Sequence, residues 1–173
     1  MKQFALALLA VSAISFGDIS TARAGMPTTI GAGSVGYGAT VKDQGDLFTH
    51  WWAGLNVLPV SEHTAIYGCY QRVGKNGGNG GDGAKLVLIS GSQDGLKGLY
   101  LIADLGIAFN LAEDADGSEV AAFTTGGGAA LALTEYISPF IYASAYDAGE
   151  RFTWAVHCGL AVTDIQKLAG LKF

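Results

Sequence analysis

Few charged residues, few prolines and few cysteines distinguish this sequence of 173 residues. Charged residues make up 14% of the chain and apolar residues 50%, a balance opposite to that of disordered proteins. Three prolines beside 26 glycines exclude a collagen-like repeat, and two cysteines are too few for a disulfide scaffold or a zinc cage. The net charge of −5 argues against a nucleic-acid partner, because acidic surfaces repel phosphate.

The N-terminal segment resembles a secretory signal peptide. Met1-Lys2 is followed by the apolar run Phe4–Phe16 and by Ala22-Arg23-Ala24, a small-x-small cleavage pattern. A membrane anchor is the alternative, but the apolar run is shorter than the ~20 residues of a spanning helix. We therefore expect residues 1–24 to be removed and residues 25–173 to form the mature domain. No later stretch has the ~18 apolar residues without interruption that predict a spanning helix.

Alternation with a period of two dominates the remaining sequence and predicts β-strands. Within Arg151–Val162, one face carries large apolar residues and the other carries Thr153, Ala155, His157, Gly159 and Ala161. Leu99–Phe109 shows the same division. Seven turn-like segments separate eight predicted strands, near residues 33–42, 47–58, 64–73, 84–91, 97–111, 118–133, 138–146 and 151–164.

Two barrel architectures can bury such strands. A soluble barrel places the large apolar face inside, whereas a transmembrane barrel places it against lipid and fills its lumen with small and polar groups. The side chains on the small and polar face are too small to pack a soluble core to normal density. The other face is too apolar to remain in contact with water. The pattern predicts an all-β fold, an eight-stranded antiparallel up-and-down transmembrane β-barrel. A soluble secreted or periplasmic barrel that binds an apolar ligand is the alternative.

One hairpin carries a family resemblance. The segment Gly126–Tyr146 contains Leu133-Thr134-Glu135-Tyr136-Ile137-Ser138, and the chain ends in Phe173. These features resemble small outer-membrane barrels typified by the outer-membrane protein A transmembrane domain. The resemblance implies residence in the outer membrane of a Gram-negative bacterium, with outer-membrane lipid and the barrel-assembly machinery as partners. Phe173 would belong to the assembly signal, although Lys167 interrupts the alternation that leads to it and residues 165–173 follow the last predicted strand.

Polar residues on the small faces are candidates for a site in the lumen. These are Asp104, His157 and His50, and Asp104 requires a partner such as Arg72, Lys85 or a histidine, because a buried charge must be paired. They are interpreted as a structural polar plug or, alternatively, as a catalytic or proton-conducting site. Aromatic residues near strand ends predict an interfacial girdle: Trp51, Trp52, Tyr142, Tyr146 and Trp154. Cys69 and Cys158 lie on non-adjacent strands, which predicts two thiols rather than a disulfide.

The function expected from these features is structural or surface-interacting, with the outer loops as the route to a surface ligand. A wide pore is not expected, because a barrel of eight strands is filled by its own side chains. No enzymatic activity, metal or cofactor is expected. A membrane-embedded lipid-modifying enzyme is the remaining alternative, and it requires a histidine beside a serine and an acid at the lipid boundary.

Overall fold

The computed structural model describes residues 26–40, 45–75, 80–91, 98–113, 119–147 and 152–164. The strands are β1 (Thr29–Thr40), β2 (Asp46–Ser61), β3 (Thr64–Lys75), β4 (Gly81–Gly91), β5 (Leu99–Glu113), β6 (Glu119–Leu131), β7 (Ile137–Asp147) and β8 (Phe152–Thr163). Consecutive strands pair antiparallel, and β8 pairs with β1 from Ile30–Thr163 to Thr40–Thr153. This closure confirms the predicted eight-stranded up-and-down barrel.

Strand β2 extends further than the sequence pattern predicts and passes through Pro59. The ladder with β1 ends at Leu55 and the Asn56 amide still donates to the Thr28 carbonyl (2.9 Å), whereas the segment from Leu58 onward is paired on the β3 side. Pro59 lacks a backbone N–H and is therefore tolerated on this one-sided extension. Two register shifts, at Asn56/Leu58 and Pro59/Ser61, accompany it.

The two faces of the wall have opposite chemistry. On β5, Leu101, Leu105 and Ile107 are exposed on the outside. The alternating residues Ile102, Asp104 and Ala108 are buried inside. The soluble-barrel alternative predicted that the large apolar faces point inward, and the structure shows them pointing outward.

The barrel has two distinct ends. The loop end carries the connections between β1 and β2, β3 and β4, β5 and β6, and β7 and β8; the terminal end carries Met26, the other three connections and Asp164. At the terminal end the Thr28 amide donates to Asp164 Oδ1 (2.8 Å), and the Tyr67 hydroxyl donates to the Pro27 carbonyl (2.8 Å). Met26 is buried, so this terminal segment covers the interior.

The interior contains more large side chains than the sequence pattern predicts. Apolar residues fill the part near the terminal end, including Ile30, Tyr67, Ile89, Ile102 and Phe140. A smaller apolar cluster of Phe48, Val73, Tyr146 and Ala155 lies nearer the loop end. The expectation of a small and polar lumen was too simple, because a barrel of this size needs bulky side chains to fill it.

Candidate functional site in the barrel interior

The three lumenal candidates are brought together in one polar layer. Asp104 on β5, His157 on β8 and His50 on β2 are all buried. Each lies at an inward position of an alternating strand, with apolar outward neighbours such as Leu105, Val156 and Trp51. This layer lies between the two apolar regions of the interior.

A buried ion pair anchors the layer. Lys85 Nζ lies 2.8 Å from Asp104 Oδ2, and the two side chains are 0% and 1% exposed. The Tyr142 hydroxyl donates to the same carboxylate oxygen. Of the three partners considered for Asp104, the structure selects Lys85, because the ladder places Val87 opposite Asp104 and Lys85 on the same inward face of β4.

Two aromatic rings also contact the Lys85 ammonium. It lies 4.7 Å from the centroid of the Trp52 ring and 5.2 Å from that of Tyr142. Aromatic faces attract cations, and the attraction is larger where water is excluded. The charge of Lys85 is thus compensated by one carboxylate and two rings.

The Arg72 alternative is excluded by its position. Arg72 lies on the outer wall and donates to both carboxylate oxygens of Asp82, at 3.0 and 3.1 Å. The Tyr70 hydroxyl also donates to Asp82, and the Tyr70 ring contacts Trp51. Because the ion pair is exposed, it contributes little to stability.

The two histidines form the second half of the layer. Their ring centroids lie 5.7 Å apart in an edge-on arrangement. His157 Nε2 lies 2.9 Å from the Ser144 hydroxyl, which donates to the Tyr146 phenol oxygen at 2.9 Å. Across the lumen, the Gln71 amide donates to Thr124 Oγ1 at 3.0 Å.

Glycines leave space for the polar layer. A Cβ atom at Gly36 would overlap the His157 ring, and one at Gly126 would overlap the Tyr142 ring and hydroxyl. Because Gly36 and Gly126 have no side chain, the backbones of β1 and β6 can lie close to the His157 and Tyr142 rings. Glycine on the inward face is therefore part of the packing.

The serine–histidine contact lacks features that a hydrolase would need. Ser144 and His157 are buried in the interior and not at the lipid boundary. His157 Nδ1 has no hydrogen-bond partner within the described residues, so no acid orients the imidazole. Within the described ranges, no three histidine, cysteine, aspartate or glutamate side chains are grouped as metal ligands.

Part of the predicted aromatic girdle is wrong. Trp52, Tyr142 and Tyr146 are buried in the lumen. Adjacent residues of a strand face opposite sides, so Trp51 and Trp52 cannot both contact the membrane. Tyr142 and Tyr146 share the inward face of β7 with Ser144. Their hydroxyl groups bond to lumenal partners instead of lipid headgroups.

The other predicted residues have mixed outcomes. Trp51 and Trp154 are exposed on the outer wall, and their place at a membrane interface stays a prediction. Cys69 faces the interior and Cys158 the exterior, and both are free thiols, as expected from the strand arrangement. Phe173 and the signal segment 1–24 lie outside the described residues.

Sequence reasoning missed Ser144 and Gln71 as members of the layer. Both lie at inward positions, and alternation along β3 and β7 would have identified their side of the wall. Alternation does not show which inward residues meet across the lumen. That depends on the register of all eight strands.

Comparisons with known proteins agree with the architecture. No protein-family model matches the chain, and no curated protein matches it. Several solved structures are similar, among them three transmembrane or outer-membrane barrels. A structure described as "De novo design of transmembrane beta-barrels" has a TM-score of 0.51 and 14% identity, covering 79% of this chain and 96% of that chain.

The other two structures are natural barrels. The N-terminal β-barrel domain of Pseudomonas aeruginosa OprF has a TM-score of 0.50 and 13% identity, covering 79% of this chain and 97% of that one. Neisserial surface protein A (NspA) has a TM-score of 0.50 and 10% identity, covering 78% and 95%. At these identities the likeness concerns the fold. The resemblance seen in the sequence is thus confirmed at the level of the fold, which is that of a transmembrane β-barrel.

Proposed function

We propose that this chain is a barrel of the Gram-negative outer membrane whose work is structural or surface-interacting, without a wide pore. The observation that carries the proposal is the reversal of the two wall faces. Large apolar side chains lie outside and an ion pair with two histidines lies inside. In lipid this arrangement is stable, because the closed ladder pairs the backbone groups and the apolar face contacts acyl chains.

The length of the apolar wall supports a membrane location. Outward positions of β5 between residues 101 and 109 carry Leu101, Ala103, Leu105, Ile107 and Phe109. This run reaches the ~9–11 residues that a tilted strand uses to cross the hydrocarbon core. Outer-membrane lipid is therefore the proposed direct partner of the wall.

The filled interior supports a role other than conduction. Apolar residues lie on both sides of the polar layer, and the Phe48 and Tyr146 rings stack 6.2 Å apart towards the loop end. Ions crossing the barrel would have to displace these side chains. A structural polar plug is accordingly the proposed role of Asp104, His157 and His50.

The lengths of the connections at the loop end limit the area that is available for a surface interaction. Between consecutive strands they have five residues or fewer, as between Thr40 and Asp46. Connections this short offer little area for a macromolecular partner, since standard interfaces bury about 800 Å² per partner. We infer a main role in the integrity of the membrane, with the loops serving at most a small surface ligand.

The enzyme alternative receives no support from the lumen. A lipid-modifying site must reach lipid, and the contact between Ser144 and His157 is enclosed by the wall. We propose a non-catalytic protein. Cells that express the His157→Ala variant should therefore have the same phospholipid composition and turnover as cells that express the unaltered protein.

Fractionation followed by gel mobility tests the proposal. The full-length chain, expressed in a Gram-negative host, should be recovered in the outer membrane and should migrate differently before and after heating in detergent. The purified protein should add little conductance to planar bilayers, whereas Trp52→Ala/Tyr142→Ala, which removes two lumenal rings, serves as the control with raised conductance. Recovery as a soluble periplasmic protein without a mobility shift would contradict the membrane location. Large conductance of the unaltered protein would contradict the filled lumen.

A further inference from the structure

Two buried histidines lie beside each other in the middle of the barrel. His50 and His157 are 2% and 0% exposed, and Tyr142 lies 5.9 and 6.1 Å from their respective rings. The third histidine of the sequence, His63, lies in the turn between β2 and β3 and is partly exposed. The chain thus provides its own reference for a histidine in contact with water.

The ring nitrogens of the buried pair are poorly satisfied. Neither nitrogen of His50 has a hydrogen-bond partner of ordinary geometry within the described residues, and neither has His157 Nδ1. Gln71 lies beside His50, but its amide donates to Thr124. Only His157 Nε2 has a partner, the Ser144 hydroxyl. The neighbours in this set, Gln71, Thr124 and Ser144, are neutral, so none of them supplies the counter-charge that an imidazolium would need.

The surrounding charges also oppose protonation. The titratable groups that face this layer are Cys69 from β3, Lys85 from β4, Asp104 from β5, and Tyr142 and Tyr146 from β7. From β1 and β6 the neighbouring residues are the neutral Gly36 and Thr124. Asp104, the carboxylate of this group, is already bound by Lys85 and Tyr142. An imidazolium would therefore add positive charge beside Lys85 without a free counter-ion.

We propose that His50 and His157 make the barrel acid-sensitive, so that their protonation loosens the packed lumen. One proton places a second positive charge in the layer, and two protons place a third. Like charges at these distances repel strongly where water is excluded. This repulsion is relieved when the side chains separate and water enters the layer. Both changes weaken the packing around the Lys85–Asp104 pair.

The direction of the pH dependence follows from proton binding. In the folded barrel a proton on either imidazole would add charge beside the Lys85 ammonium, where Asp104 is already bound, whereas in the unfolded chain the imidazoles take up protons freely as the pH falls through about 6.5. The unfolded state then binds more protons, so the stability falls as the pH decreases. Ordinary carboxylates are protonated mostly below pH 5.0, so the fall in stability between pH 7.5 and 5.0 reports mainly on the histidines.

The test measures the temperature at which the folded gel band is lost, in detergent at pH 7.5 and 5.0. For the unaltered mature chain we expect this temperature to fall by about 10 °C at the lower pH, from two groups with an unfolded-state pKa near 6.5. The double variant His50→Gln/His157→Gln should lose most of this fall, because glutamine does not titrate. The matched control His63→Gln should retain it. An equal fall in the double variant would overturn the proposal.

A second measurement does not depend on how well the double variant folds. Proton NMR of the imidazole rings in the folded, unaltered protein should show His50 and His157 unprotonated at pH 5.5. If both buried rings are protonated at pH 5.5 while the fold persists, the lumen tolerates the charges and the proposal is wrong.

Discussion

Trp51 and Trp52 are neighbours in the sequence with opposite environments. Trp51 is 45% exposed on the outer wall, and Trp52 is 3% exposed and contacts the Lys85 ammonium. A difference of one position along the strand decides whether an indole ring faces the exterior or completes a charged layer. Residue type therefore says little here until the side of the wall is known.

The same comparison extends to the whole barrel. The outer wall needs apolar surface but no particular shape, because acyl chains adapt to it. The interior needs both shape and paired polar groups, because a fixed volume must be filled and a buried charge must have a partner. We therefore expect substitutions of similar chemistry to have large effects inside and small effects outside.

The largest expected effect is the loss of one member of the buried ion pair. Lys85→Met leaves the Asp104 carboxylate in the lumen without its cation and should destabilise the barrel by about 3–5 kcal/mol. Urea unfolding in detergent micelles, followed by tryptophan fluorescence, measures the change. The double variant Lys85→Met/Asp104→Leu removes both charges and should recover most of the loss. A single variant as stable as the unaltered protein would show that the pair is not buried.

The adjacent tryptophans test packing without a change of charge. Trp52→Ala empties a lumenal volume and should cost about 3–5 kcal/mol, the range for large-to-small changes in packed cores. Trp51→Ala removes the same side chain from the outer wall and should cost clearly less. The same unfolding assay compares them. Equal costs for the two variants would contradict the assignment of sides.

A charge on the outer wall tests the contact with lipid. Leu105 lies on the outward face of β5, next to buried Asp104. In a bilayer, Leu105→Arg should destabilise the barrel by about 2–4 kcal/mol if this position lies near the midplane. Leu105→Phe keeps the surface apolar and is the control. Unfolding from lipid vesicles is the measurement, and equal stability of the two variants would argue against a hydrocarbon environment.

The smallest expected effects come from substitutions at two glycines of β1. Gly36→Ala inserts a methyl group against the His157 ring and should cost about 1–3 kcal/mol, as overpacking does. Gly33→Ala faces outward, where a Cβ meets no atom within 4 Å, and should be neutral or slightly stabilising. Unfolding midpoints measured side by side resolve the difference. A destabilised Gly33→Ala with an unaffected Gly36→Ala would reverse the two faces.

The fold was predictable from the sequence because each strand repeats the same two-residue alternation. Along β5 and β8 this signal also gave the correct side for Asp104 and His157. The girdle prediction was wrong for Trp52, Tyr142 and Tyr146, because it rests on the enrichment of aromatics near strand ends and not on the alternation. The partner of Asp104 remained a choice of three, since only the register between β4 and β5 brings Lys85 to the carboxylate.

Fluorescence quenching by brominated lipids tests the central claim most directly, since the chain has three tryptophans. Three variants, each with one tryptophan kept and the others replaced by phenylalanine, are refolded into vesicles with bromine at defined acyl-chain depths. We expect strong quenching of Trp51 and Trp154 and little quenching of Trp52. Quenching of Trp52 that equals or exceeds that of Trp51 would contradict the division between a lipid-facing wall and a packed, charged interior.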